Sequence, residues 1–275
     1  MNLKDSILPQ ERMDETQARW QSRANRCRDL QTEHSLTTPA LRLYAEVLTF
    51  QWDVSRGLRQ IVDPSQSLRD QIDLDLFCSL LPRILALAVD VGPEMLQQAA
   101  LRLQRAGKAE WLLLGEAALV AGECVPLGAD DFFTRACLQP LAERLQLQMP
   151  KVANQLPNIC PICAGLPQMT ILRPEGEGSG RSLLCSFCLY EWVFRRVVCP
   201  WCGGEDKGKL PRYSAEECTY VHVEACDTCG RYLKAVDMTI NGHAVPLIDE
   251  AALAVLDVWA TGRGYTKIRT NLLGF

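Results

Sequence analysis

Eight of the thirteen cysteines in this 275-residue chain fall into four CxxC pairs: Cys160/Cys163, Cys185/Cys188, Cys199/Cys202 and Cys226/Cys229. Two thiols three residues apart can grip one metal ion from a single tight turn, and two such turns complete a tetrahedral shell. Residues 164–184 separate the first and second pairs, and residues 203–225 separate the third and fourth. Each gap has room for two strands and a turn, close to the spacing of a four-cysteine ribbon. Only residues 189–198 lie between the second and third pairs. The simplest arrangement is therefore sequential, with one site from Cys160, Cys163, Cys185 and Cys188 and another from Cys199, Cys202, Cys226 and Cys229. An interlaced pairing also satisfies the count.

The residues around the pairs suit metal knuckles. Ala164-Gly165, Gly203 and Gly230 follow three of them. The position after the second cysteine often requires positive φ, where glycine is least strained. Pro161 and Pro200 stiffen two of the turns. Leu189 follows the second pair, so a less regular knuckle is expected there. Four thiolates accept zinc or iron by geometry. Zinc would make the ribbons structural, and iron would make them rubredoxin-like one-electron sites. A thioredoxin-type dithiol needs a CxxC at a helix start after a strand, whereas these four lie on turns. Structural disulfides belong to oxidising compartments.

The remaining candidates are weaker. Cys218 and His222 share a strand face with Cys226 but are surplus to the eight, and read as supporting or surface groups. Cys27 lies among Arg26, Arg28 and Asp29. Neighbouring arginines can lower a thiol pKa, yet no base stands nearby, so it reads as a surface or half-buried thiol. Cys78, Cys124 and Cys137 read as packing residues, and His34 and His243 as lone histidines. No catalytic residue is assigned and no enzyme activity is expected.

These knuckles need a scaffold, and the periodicity supplies one. Residues 1–38 form a polar arm with a helix near Arg12–Leu30, which either wraps onto the body or is partly mobile. Residues 39–150 form a helical domain of about five helices. The first starts at Thr38-Pro39 and runs to Ile61, carrying Leu41, Tyr44, Leu48 and Trp52 at helical spacing. Asp73–Asp90 follows, with a kink or restart at Pro82, then Glu94–Gly107. Trp111–Ala121 is apolar nearly all round, which predicts a central place in the bundle, and Gly122 ends it. A last helix is capped by Asp130 or Asp131. Residues 151–158 read as a linker. The first ribbon spans 159–198, with strands Gln168–Arg173, Arg181–Leu184 and Glu191–Val198 and an exposed loop at 174–180. The second spans 199–245, with strands Leu210–Ser214, Thr219–Glu224 and Tyr232–Met238. Residues 246–275 return to helix over Ile248–Ala260, capped by Asp249, before a tail ending in Leu272, Leu273 and Phe275. The tail either docks onto the body or leaves a small apolar patch that keeps self-association open. The expected class is α+β: an N-terminal helical bundle, two tandem rubredoxin-like or zinc-ribbon modules and a C-terminal helix.

Charge narrows the partners. The formal net charge is -4, and residues 151–275 are balanced before metal. Four thiolates around a divalent ion carry -2, so loading both sites makes that half acidic. Nucleic acid is therefore not expected as a partner. No apolar stretch has the length of a membrane span, and the opening MNLKDSILPQERMDETQ has no apolar core of signal-peptide length. A cytoplasmic location with reduced thiols is expected.

The motifs also carry a resemblance. Cys160-Pro-Ile-Cys163 is followed by Gly165 and Pro167, and Cys185-x-x-Cys188 by Glu191-Trp192. Next come Cys199-x-x-Cys202 and Glu224-Ala-Cys-Asp-Thr-Cys-Gly-Arg-Tyr-Leu-Lys234, then a closing helix and Gly264-Tyr265. Together they resemble the FdhE family of bacterial formate dehydrogenase accessory proteins, with Ala164 and Leu189 as departures. The resemblance is specific from about Cys160 onward. It implies a cytoplasmic maturation factor for respiratory formate dehydrogenases, which are exported folded by the twin-arginine route. It also implies binding to the dehydrogenase catalytic subunit, and rubredoxin-type iron in the cysteine sites. A soluble electron carrier and a zinc-ribbon nucleic-acid binder are the alternatives.

Overall fold

Apolar residues at helical spacing build the N-terminal region, and alternating strands joined by cysteine turns build the rest. The computed structural model describes residues 10–33, 37–59, 61–120, 128–150, 158–216 and 218–275. His34, Cys124, the expected helix end at Ala121-Gly122 and residues 151–157 of the expected linker lie outside the described residues.

Among the described residues six α-helices come first: α1 (Gln10–Glu33), α2 (Thr38–Gly57), α3 (Leu74–Val91), α4 (Glu94–Ala106), α5 (Lys108–Leu119) and α6 (Ala129–Gln146). Helix α1 docks through residues from Thr16 onward. Trp20, Cys27 and Leu30 are buried. Arg23 forms a bidentate pair with Glu143 of α6 at 2.7 and 3.0 Å. Arg26 reaches Asp249 at 2.6 Å. Burial, not its arginine neighbours, governs Cys27: desolvation pushes its thiol up to about 11, and its Sγ lies 3.1 Å from the Leu41 carbonyl oxygen.

Two helical expectations are corrected. Helix α3 passes through Pro82 without a break. Pro82 lies on the exposed face, where water can satisfy a carbonyl that loses its helical donor. Helix α5 is peripheral rather than central. Of its residues only Gly115 is buried, and Leu113 is 64% exposed. A Cβ at Gly115 would stand 2.7 Å from Leu74 and 3.0 Å from Phe77, so glycine is what lets α5 lie against α3.

The strands β1 (Pro167–Glu175), β2 (Gly178–Cys185), β3 (Glu191–Val193), β4 (Arg212–Ala215), β5 (Cys218–Cys226), β6 (Arg231–Asp237) and β7 (Thr266–Lys267) follow. They form one seven-stranded mixed sheet in the order β3-β2-β1-β6-β5-β4, with β7 beside β6. The seam between the two cysteine-rich segments is a parallel pairing of β1 with β6, Met169 opposite Lys234 through Leu172 opposite Asp237. Both segments thus share one sheet. The expected 174–180 loop is shorter than anticipated, because Glu175 pairs with Gly178 around a turn with Gly176 at φ 54. Strand β3 ends at Val193, short of Val198. Beyond it, the buried Arg181 guanidinium takes the carbonyls of Arg195 and Val198 at 2.7 and 3.2 Å, which pulls that segment out of the ladder.

The closing helix is two helices, α7 (Pro246–Ala252) and α8 (Ala254–Gly262), broken at Leu253. Lys234 of β6 donates from beneath to the carbonyls of Glu250 and Leu253 at 2.5 and 3.3 Å. Carbonyls claimed by a buried ammonium are bent out of the helical ladder. Lys234, Lys267, Glu250 and Asp257 form a buried network with balanced charge. Asp249 does not cap from outside the helix. It lies inside α7, accepts from the Val245 amide at 2.7 Å and is the partner of Arg26. The tail docks, with Leu272 buried and Asn271 donating to Glu250 at 2.7 Å.

Candidate metal centres

The four CxxC turns share one backbone conformation after the second cysteine. In each, the residue after the second cysteine has positive φ: Ala164 at 55, Leu189 at 56, Gly203 at 73 and Gly230 at 67. The Ala164, Gly203 and Gly230 amides close back onto the carbonyls of Cys160, Cys199 and Cys226 at 2.8–3.0 Å. The amide of each leading cysteine faces the residue five positions on. Cys160 donates to Gly165, Cys185 to Tyr190 and Cys199 to Gly204 at 2.8–2.9 Å, and Cys226 pairs with Arg231 in the ladder. The turn at Cys188-Leu189 shares the positive φ and the leading-cysteine bond, but no closure of the Leu189 amide onto Cys185 stands beside the other three, so it is the less regular turn that was expected. Leucine adopts the left-handed conformation there at a cost of about 1–2 kcal/mol, and its side chain is buried.

These turns bring the thiols together in two groups, in the sequential pairing. Cys160, Cys163, Cys185 and Cys188 form one, and Cys199, Cys202, Cys226 and Cys229 the other, each with its sulfurs within 4.8 Å of one another. In the first, Cys160–Cys188 and Cys163–Cys185 are 3.6 and 3.4 Å apart. In the second, Cys199–Cys229 and Cys202–Cys226 are both 3.7 Å. A disulfide would be at about 2.05 Å. A tetrahedron with metal–sulfur bonds of about 2.3 Å has an edge of about 3.8 Å. The donor set thus fits a tetrahedral thiolate ion, and both groups could hold one.

The electrostatics agree. Backbone amides point at sulfur: Phe187 N lies 3.3 Å from Cys185 Sγ, and Trp201 N 3.4 Å from Cys199 Sγ. Burial pushes Cys185 and Cys226 up, but hydrogen bonds from neighbouring thiols and amides outweigh it and hold both below the usual thiol range. Cys160 is pushed up by the neighbouring Cys163 and Cys185 thiols, and Cys188 by burial. A bound cation is what would favour the thiolate form at Cys160 and Cys188.

The two groups differ in their surroundings. All four sulfur residues of the first are buried, whereas Cys202 of the second is exposed and Cys229 half-buried. The helical region holds the first group at both turns. Arg69 donates to the Cys163 carbonyl at 2.7 Å and to Ala118 of α5 at 2.8 Å, and lies 4.3 Å above the Phe187 ring. From α6, Arg135 and Gln139 donate to the Ser186 carbonyl at 3.2 and 2.9 Å. Gly165 permits this closeness, since a Cβ there would stand 3.1–3.2 Å from two cluster sulfurs. Sequence reasoning missed Arg69, which lies in a short 3₁₀ turn with no motif around it. Cys218 and His222 join neither group. Cys218 is buried, with its thiol pushed up by burial, and His222 Nε2 is 3.7 Å from Glu224. The buried Cys78 and Cys137 also join neither group.

Fold and site define a class: an α+β protein in which a helical N-terminal region packs on a mixed sheet bearing two four-cysteine groups able to hold metal ions. The family described as "FdhE, C-terminal domain" matches residues 197–273. The FdhE homologue of Aquifex aeolicus is 27% identical over 213 residues, covering 74% of this chain and 72% of that protein. The homologue of Pseudomonas putida is 31% identical, covering 62% and 54%. FdhE of an Escherichia coli O127:H6 strain is 28% identical, covering 68% and 63%. The crystal structure of FdhE from Pseudomonas aeruginosa superposes with a TM-score of 0.70 at 24% identity, over 92% of this chain and 95% of that one, and so shares the fold. The family match over the C-terminal part, the curated relatives and the shared fold all support the FdhE family. Among the described residues, no helix is long and apolar enough to cross a membrane.

Proposed function

We propose that Cys160, Cys163, Cys185 and Cys188 hold one metal ion, and Cys199, Cys202, Cys226 and Cys229 a second. On this reading the chain is a non-enzymatic accessory factor. It engages the catalytic subunit of a formate dehydrogenase in the cytoplasm and supports its activation before twin-arginine export. The observation that carries it is the pair of four-thiol groups with tetrahedral sulfur spacing in a chain whose relatives carry the FdhE name. Iron is favoured by the family resemblance, and zinc satisfies the same geometry. The exposed Cys202 favours a second role for the second centre, one-electron exchange, if its ion is iron.

The test has two parts. Protein purified without oxygen should contain two metal ions per chain, and Cys229→Ser should contain one, because site formation and local folding are linked. Wild-type protein immobilised on resin should retain a formate dehydrogenase catalytic subunit. Retention of nothing by wild type and cysteine variants alike would remove the accessory role. Unchanged metal content in Cys229→Ser would remove the ligand assignment.

A further inference from the structure

The sequence spreads its C-terminal cations thinly, but the fold gathers them. A cleft of about 200 Å³ beside Cys199 and Cys226 is lined by Arg181, Arg196, Lys207, Arg212 and Arg231, against one carboxylate, Glu224. The five come from four segments: β2, the β3–β4 connection, which holds Arg196 and Lys207, β4 and β6. Glu224 is already shared by Arg181 at 2.7 Å and Arg212 at 3.3 Å. Arg231 makes only a long contact, 3.5 Å, with the Lys267 carbonyl, and lies 4.7 Å over the Trp201 ring. Among the described residues, Arg196 and Lys207 meet no carboxylate, and both are exposed.

The nearby acids Glu205, Asp206 and Asp227 flank the cleft without lining it. Glu205 is paired with Arg195 at 2.6 Å. Asp206 accepts from the Gly208 amide at 2.9 Å, and Asp227 from the Tyr265 hydroxyl at 2.6 Å. A loaded thiolate centre contributes -2, which leaves the cleft cationic. The floor is apolar, with Val197, Leu210, Pro211 and Ile268.

From this we infer that the cleft beside the second cysteine group is a docking site for an acidic, partly apolar segment of a partner protein. Charge complementarity selects the acidic side chains, which the exposed Arg196 and Lys207 meet first. The apolar floor accepts aliphatic neighbours. The volume is below the roughly 300–1,000 Å³ of sites that enclose a drug-sized ligand, so a small metabolite would be poorly enclosed. A nucleic-acid backbone needs a continuous basic track, and here Glu205, Asp206 and Asp227 interrupt it. Docking here would place the partner against the centre whose sulfur is exposed. This inference concerns the chemistry of the surface and does not depend on which protein supplies the segment.

The probe is a fluorescein-labelled synthetic peptide of alternating glutamate and leucine with blocked ends, titrated into metal-loaded full-length protein by anisotropy. Binding should weaken as salt rises. The double variant Arg196→Glu/Lys207→Glu should bind at least roughly tenfold more weakly, and Arg196→Lys/Lys207→Arg within about twofold of wild type, because charge at the rim drives encounter and register. Metal content and thermal midpoint, measured on each variant, separate lost binding from lost folding. Absence of peptide binding to wild type, or equal binding by a folded charge-reversal variant, overturns the inference. A single-stranded oligonucleotide of equal charge that binds as tightly would reassign the cleft to nucleic acid. Inorganic phosphate that displaces the peptide at the peptide's own half-saturating concentration would reassign it to a simple anion.

Discussion

Replacing Arg69 with alanine should loosen the first metal centre and leave the second untouched. Arg69 is half-buried and makes two short hydrogen bonds, to the carbonyls of Cys163 and Ala118. Hydrogen bonds from a charged donor contribute about 1.5–3 kcal/mol each. Partial exposure lowers that, so a combined loss of about 2–3 kcal/mol is expected. The Cys163 carbonyl also loses its donor beside a thiolate cluster. If the loss falls on the loaded turn, metal affinity at the first centre drops roughly 30- to 150-fold. The assay follows metal release to a chromogenic chelator from wild type, Arg69→Ala and Arg69→Lys. Lysine can reach only one carbonyl and lacks the planar fork, so it should fall between the other two. Alkylation with mass spectrometry then assigns the released thiols to Cys160–Cys188 or Cys199–Cys229. Equal release rates for wild type and Arg69→Ala would refute the idea that the helical region braces the first centre. So would release from the second centre instead.

Three further outcomes follow from the same geometry. Cys202, exposed while every sulfur residue of the first group is buried, should be the first cluster cysteine alkylated by iodoacetamide, and chelator should empty the second centre before the first. Ala164→Gly should raise stability by about 1 kcal/mol in urea denaturation, because alanine there holds a φ of 55 that glycine adopts without strain. Leu189→Gly should gain little, since it also removes a buried side chain. Burial pushes the Glu143 carboxyl up, but Arg23 and Arg19 outweigh it and hold it below the usual carboxylate range. With its folded pKa depressed, Glu143 stabilises the fold above the unfolded value of about 4.3, and this is lost as pH falls through the folded value. Glu143→Gln should cost about 3 kcal/mol at pH 7, because it leaves Arg23 buried without its counter-charge. It should also flatten the acid limb of the stability profile. An unchanged limb would show that other carboxylates control acid unfolding.

The cysteine groups were legible because their grouping depends on local spacing. Gap lengths favoured the sequential sets without excluding an interlaced pairing, and the glycines after two turns announced the left-handed position. Leu189 was not legible, because its strain is tolerated by tertiary packing that no local pattern records. Most helices were visible in their apolar stripes. The place of α5 was not, because uniform apolarity does not reveal that its side chains are only partly buried and that it approaches α3 at Gly115. The docking of α1 was hidden for a related reason. Its arginines find Glu143 and Asp249 far along the chain, and a polar helix looks free until those buried partners are placed. The break at Leu253 likewise depends on Lys234, a strand residue beneath the helix. The basic cleft was legible only in part: Arg196, Lys207 and Arg212 lie in one stretch of the chain, but Arg181 and Arg231 join them only after folding.

The parallel seam between β1 and β6 has a consequence for synthesis. A chain made from its N-terminus completes Cys160 through Cys188 well before β6 leaves the ribosome. The first thiol group can therefore close on its hairpin while the outer edge of β1 has no partner. An unpaired edge is a template for wrong pairing, and long-range strand pairing is slow. Early cation capture by the first group would hold β1 and β2 in register through that interval. Scarcity of the ion during translation should therefore appear as aggregation of new chains, before any effect on mature protein.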